Sequence, residues 1–186
     1  MRNRFLFFLS LIVFSSVLKA ENLLIESKKI TLEKMGELSI FENSVIITTS
    51  ENNIIKSDYA EYDKTKGIII LKRNIQAIDN KKNEIKSNYA IYNENLKKLE
   101  SVGPTEIITT ENYIIKGNDI TFDDSNKKIF SKKKIIIIDP DTNRIFLDNF
   151  EYLINNDIFK SIGEIKVEDT FKNTYKFSQV YIDTKK

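Results

Sequence analysis

The chain has 186 residues, of which 41% are hydrophobic and 30% charged, with no cysteine, no histidine and a formal net charge of +2. It therefore lacks the commonest general base, the thiol nucleophile and the nitrogen and sulfur ligands of zinc, and an exported chain of this kind must be held by packing instead of disulfides. The near balance of charge excludes nucleic acid as a partner, because such binding needs concentrated Lys and Arg to neutralise phosphates.

At the start of the chain, Arg2 and Arg4 precede an apolar run from Phe5 to Val17, and Leu18-Lys19-Ala20 supplies a cleavage end. This layout predicts a secretory signal peptide over 1–20. The run of 13 residues falls short of the roughly 18 to 20 that a membrane-crossing helix needs, which favours cleavage over an uncleaved N-terminal anchor. Removal takes Arg2, Arg4 and Lys19 and no acidic residue, leaving 26 basic and 27 acidic residues and a net charge of −1. Residues 21–186 suit one domain in the periplasm, with attachment to the outer membrane as a further expectation.

Beyond the signal the sequence repeats every thirty residues, and a fixed period identifies an architecture before any single element is assigned. Leu24 to Glu33 opens the series. Ile54 to Asp63, Glu84 to Asn93 and Ile114 to Asp123 continue it, a copy shifted by one residue runs from Ile145 to Leu153, and another begins near Phe177. Between them, apolar or β-branched residues fall at Val45, Ile75, Thr105, Ile135 and Ile165. The segments are rich in Ile, Tyr, Phe, Val and Thr and are bounded by turn-formers such as Glu51-Asn52-Asn53 and Asp79-Asn80, so each repeat reads as two strands.

Short connections make neighbouring strands antiparallel. The expected fold is all-β: a folded antiparallel meander of about six two-strand repeats, open at its strand edges. Strand alternation places Ala60 and Tyr62, with their equivalents Ile30 and Leu32, Ala90 and Tyr92, and Ile120 and Phe122, on one apolar face, and Ser57, Tyr59 and Glu61 on the other.

Few side chains suggest chemistry. Ser27, Ser57 and Ser87 recur at equivalent places and read as architecture. Asp139, Asp141 and Asn143 imitate the start of a calcium loop, but Arg144 stands where that loop needs Gly and Phe150 where it needs a bidentate Glu, which leaves a polar hairpin turn. The basic run Lys132-Lys133-Lys134 reads as a solvated patch. No carboxylate pair has glycosidase spacing, and five Gly form no phosphate-cradling loop. No catalytic activity, cofactor or metal is expected.

The sequence Ile-Lys-Ser-Asp-Tyr-Ala-Glu-Tyr-Asp at 55–63, followed by Gly67 to Ile75, resembles the OstA-like repeat of lipopolysaccharide-transport (Lpt) proteins. That repeat pairs an Ala-x-Tyr-Asp strand with a Gly-Asn-Val strand. Asn74-Ile75 stand for the Asn-Val, and Arg73 replaces the Gly. The resemblance extends over 22–186. It implies a twisted β-jellyroll, open along one side, that shields lipopolysaccharide acyl chains in the periplasm and pairs edge to edge with other Lpt jellyroll domains. Both an LptA-like bridge and an LptD N-terminal domain fit.

The resemblance further implies a lipid groove lined by Ile30, Leu32, Val45, Ile47, Ala60, Tyr62, Ile69 and Leu71, and by Ile75, Ala77, Ala90, Tyr92, Ile120, Phe122, Ile135 and Ile137. The alternative is an exported structural or adhesive β-repeat protein with a dry core and no ligand.

Overall fold

The computed structural model describes residues 23–185; the predicted signal segment, 1–20, lies outside them. The described residues form one antiparallel sheet of sixteen strands, with a single 3-10 turn at Lys34–Gly36 and no α-helix. Six strands are long: β3 (Leu38–Thr49), β4 (Ile54–Asp63), β5 (Ile68–Ile78), β6 (Glu84–Asn93), β15 (Ile158–Glu168) and β16 (Thr174–Asp183). The others are half as long or less. β1 (Leu23–Glu26) and β2 (Lys29–Glu33) both pair with β3. Between β6 and β15 lie β7 (Lys98–Ser101), β8 (Pro104–Ile108), β9 (Ile114–Asn118) and β10 (Thr121–Asp123), then β11 (Lys128–Ser131), β12 (Ile135–Ile138), β13 (Arg144–Leu147) and β14 (Phe150–Leu153).

Two rows of turns join these strands, and both carry the thirty-residue period. In the first row the amide of the first turn residue donates to the carbonyl of the fifth at 3.0–3.1 Å: Thr49 to Asn53, Asp79 to Asn83, Thr109 to Tyr113, Asp139 to Asn143 and Asp169 to Asn173. The fourth residue of each, Asn52, Lys82, Asn112, Thr142 and Lys172, takes a left-handed φ between 61° and 75°. In the second row each turn is bonded to the one before it, through Glu94 to Gly67, Asp124 to Lys97, Ile154 to Lys127 and Thr184 to Asp157 at 2.9–3.0 Å.

Midway between its two turns every strand bends. On β3 and β5 the bend is a bulge with paired left-handed residues, Asn43 and Ser44, then Arg73 and Asn74. On the intervening strands a serine hydroxyl donates to the carbonyl two residues on: Ser57 to Tyr59 at 3.0 Å and Ser87 to Tyr89 at 3.1 Å, with Ser27 to Lys29 at 2.9 Å in the gap between β1 and β2. From β7 to β14 the bend breaks the strand altogether, at Gly103 and Asp119 among other positions. Bulges raise local bending and twist, so the sheet folds into two leaves with its apolar face inside. That face forms one core cluster, in which Ile47, Ile69, Leu71, Ile107, Ile115, Ile129, Ile137 and Ile165 are wholly buried. Each such Ile or Leu contributes about 1.5–3 kcal/mol by leaving water.

The expectation of a sheet open along one side needs correcting. β6 and β15 bend from one leaf into the other, and ten segments from β6 through β7, β10, β11, β14, β15, β13, β12, β9 and β8 return to β6 in a closed hydrogen-bonded circuit. The broken strands are thus enclosed in a flattened barrel, the arrangement that removes unpaired edges. Among the described residues the free edges stand at the two ends of the sheet, on β1 with β2 and on β16.

The bends dictate which glycines are required. A Cβ on Gly117 would lie 2.6 Å from Ile135 Cγ2 on the paired strand, so Gly117→Ala should cost about 1–3 kcal/mol by overpacking. Arg73, by contrast, holds a left-handed φ of 65° that glycine adopts freely, so Arg73→Gly should be neutral or stabilising by up to about 1 kcal/mol. Urea denaturation of the two variants beside the parent chain checks both signs.

Candidate functional site: the apolar interior and its mouth

The interior is assembled from alternating residues of both leaves. Of the positions assigned to a lipid groove, Val45, Ile47, Ala60, Ile69, Leu71, Ile75, Ala77, Ala90, Tyr92, Ile120, Phe122, Ile135 and Ile137 are all buried in the core cluster. Tyr62 packs against that cluster half-buried, with its hydroxyl donating to the Glu94 carboxylate at 2.7 Å. Ile30 and Leu32 differ. They pair with Phe41 and Ser39, both buried, so they share the inward face, yet they are 54% and 65% exposed. β2 is an edge strand, and no further strand covers them.

The alternation also misplaces Ser57. The bend shifts the register of β4 between Lys56 and Tyr59, so odd residues before it and even residues after it point inward. Ser57 and Ser87 are therefore buried beside the apolar residues and not opposite them. The same inversion hides Ile55, Ile85, Ile115 and Ile145, all buried, which single-phase counting assigns to the outside. Their own thirty-residue recurrence was the available signal. Tyr152 and Phe159, stacked with ring centroids 4.3 Å apart, and Tyr113, 5.4 Å from Phe159, complete the lining at the far end.

Because the strands are bent double, the two rows of turns come together as the lips of a mouth on the side away from the bends. Polar groups bridge them. Glu51 of the β3–β4 turn pairs with Lys97 of the β6–β7 turn, and Lys81 of the β5–β6 turn reaches Asp157 of the β14–β15 turn at 3.2 Å and the Ile154 carbonyl beside it. Lys185 pairs with the same Asp157 at 2.6 Å. Hydrogen bonding and charge from Lys97 hold the Glu51 carboxyl below its usual range, and Glu51 raises Lys97 in turn. Burial alone would raise Asp157, but the hydrogen bonds and charges of Lys185 and Lys81 outweigh it and leave the group lowered. Behind the lips, burial pushes the Tyr92 hydroxyl up to about 12.

Directly beneath lies a cavity of about 20 Å³ lined by residues of both leaves, among them Ile55, Ala77, Ile85, Tyr92, Phe122 and Ile129. That volume holds about one water-sized sphere. The interior as it stands is packed, with no space for a chain of methylenes.

Elsewhere the polar groups serve the fold. The calcium-like segment is a hairpin turn whose acid is already engaged: Asp139 accepts from the Asn143 amide and from its side chain, both at 2.8 Å. Asp79 with Asn83 and Asp169 with Asn173 make the same arrangement. Among the described residues no cluster of acidic side chains has metal-holding geometry. Lys132, Lys133 and Lys134 are exposed; Lys133 pairs with Asp119, and Lys134 lies 3.7 Å from Asp148.

No known protein family matches the chain, and no curated protein does. Among solved structures, the G-box domain of the microcephaly protein CPAP matches at 12% identity and a TM-score of 0.21, over 80% of this chain and 90% of that one. The TCP10 domain of Danio rerio CPAP in complex with a peptide of Danio rerio STIL matches at 8% identity and a TM-score of 0.17, over 84% and 99%. Likenesses of this size carry no argument about what the chain does.

Proposed function

We propose that the chain is a β-jellyroll of the OstA-like, lipopolysaccharide-transport type, acting after export to the periplasm to shield lipid acyl chains inside the folded sheet. The observation that carries this reading is the interior itself. It is a continuous apolar core, contributed at the same repeat positions by strand after strand, with the two rows of turns meeting along one side of it. The strand-and-bend pattern of 55–75, with left-handed Arg73 and Asn74 at the place of the Gly-Asn of the OstA-like repeat, supports the same assignment. No catalytic step is part of the proposal. Partners are lipopolysaccharide and further Lpt jellyroll domains, which would pair with the free edges of β16 or of β1 with β2. An LptA-like bridge and an LptD N-terminal domain both satisfy it.

A photoreactive phenylalanine analogue placed at Tyr92 or Tyr62 should form adducts with lipopolysaccharide, whereas the same group at Tyr181, 62% exposed on the edge strand, should not. Labelling of protein neighbours alone from all three positions would end the lipid reading.

The packed interior favours a second reading, a structural β-repeat protein whose core stays dry. The two differ in linkage: a ligand that binds only the folded chain raises its melting temperature by mass action. Lipid transport predicts that Tm rises with lipopolysaccharide concentration. The dry-core reading predicts no shift at any concentration.

A further inference from the structure

We propose that the turn-lined mouth is a gate through which an acyl chain enters sideways, and that the Glu51–Lys97 and Lys81–Asp157 ion pairs are its latch. The proposal rests on the acyl-binding reading above and adds how the closed interior is reached.

Three observations converge on this place. First, the only links drawn by charge between the two rows of turns among the pairs just described lie here, each joining one leaf to the other over 46 and 76 residues of chain. Second, the cavity beneath them is bounded on one side by turn residues Thr49, Asn53, Asp79 and Asn83 and on the other by Tyr92 and Phe122. It therefore lies at the seam between the leaves and not within either one. Third, Leu96, 54% exposed, stands on the β6–β7 turn beside Lys97. An apolar group at a turn tip gives an incoming hydrocarbon a surface before it reaches the core.

The opposite side of the fold cannot open in this way. There the leaves are joined covalently through the bends of the six long strands, and parting them would break backbone hydrogen bonds on both sides of each bulge. At the mouth the leaves are joined by side chains alone. Parting them exposes the cavity and costs the half-exposed Glu51–Lys97 pair, which solvent and salt replace readily, and the Lys81–Asp157 pair, in which the buried Asp157 retains Lys185 as its partner. Freed Lys97 and Lys81 would then face the anionic head of the entering lipid.

The chain contains no cysteine, so a pair can be installed and addressed uniquely. Glu51→Cys with Lys97→Cys should be joined by a short bis-maleimide containing a cleavable disulfide, which does not demand the roughly 4.4–6.8 Å Cα spacing of a direct disulfide. Binding of cis-parinaric acid, a fluorescent fatty acid, is then followed by stopped flow before joining, after joining and after cleavage. Association should be lost on joining and recovered on cleavage. Separately, Glu51→Gln with Lys97→Gln should bind several-fold faster than the parent at low salt, and added salt should speed the parent but not the variant.

If the joined and cleaved forms bind alike, the gate is wrong and acyl binding stands. If no form binds, acyl binding itself fails and the gate with it. If the uncharged pair binds no faster than the parent, the ion pairs are not the latch.

Discussion

The bend in the middle of each strand is the constraint on which the rest depends. A meander of ten-residue strands with one apolar face would be a flat sheet with that face in water. Folding every strand at the same height closes the face upon itself and lets one sheet supply both layers of a core. The bend has a cost, seen in non-glycine residues held left-handed at Asn43, Ser44, Arg73 and Asn74. The burial it secures, with more than a score of apolar side chains under 9% exposed, outweighs this many times over at about 1.5–3 kcal/mol each. The hydroxyls of Ser57 and Ser87 donate to the carbonyls of Tyr59 and Tyr89 two residues on, bracing the two halves of each strand across the bend.

Because the bends line up, so do the turns, and polar chemistry concentrates there. Asp79, Asp139 and Asp169 each accept two hydrogen bonds from an asparagine four residues on. Asn53 and Asn83 each accept a bond from the turn that follows, at Asn80 and Thr110. Aspartates that look like ligands in the sequence are thus the rungs of a ladder. Glu51, Lys81, Lys97 and Asp157 are turn charges that pair with the other leaf.

Period and chemistry were legible in the sequence because both are local: the thirty-residue recurrence, the strand-forming composition and the turn residues all sit within one repeat. The interior positions Ala60, Ala90, Tyr92, Ile120 and Phe122 follow from alternation, which holds within a half-strand. Three things did not follow. Alternation inverts across a bend, so counting in one phase puts Ser57 on the wrong face. Exposure depends on how many strands cover a position, so Ile30 and Leu32 share the face of Ala60 and Tyr62 and yet remain in water. Closure depends on which strands bend whole and which break. β6 runs whole through Ser87, whereas the strand with Gly117 at the equivalent position ends at Asn118 and Asp119 turns left-handed, a difference that composition does not announce.

The pairing pattern also limits how further strands can join the sheet. Along the leaf that contains β1, the antiparallel steps run β1, β3, β4, β5, β6, β8, β9, β12, β13, β15 and β16. Ten reversals of direction leave β1 and β16 running the same way. A second copy stacked head to tail would therefore place two strands of like direction side by side, giving a parallel pair with slanted, slightly weaker bonds. Two copies related by a two-fold axis would instead set β16 against β16, or β1 and β2 against their equivalents, in antiparallel register. A partner that extends the ladder without changing its character must present a strand running like β15, and beside it apolar side chains to cover Tyr175 and Phe177, which face inward at the uncovered end and are 46% and 50% exposed. Strand direction and an uncovered apolar end together define that partner more narrowly than edge pairing alone.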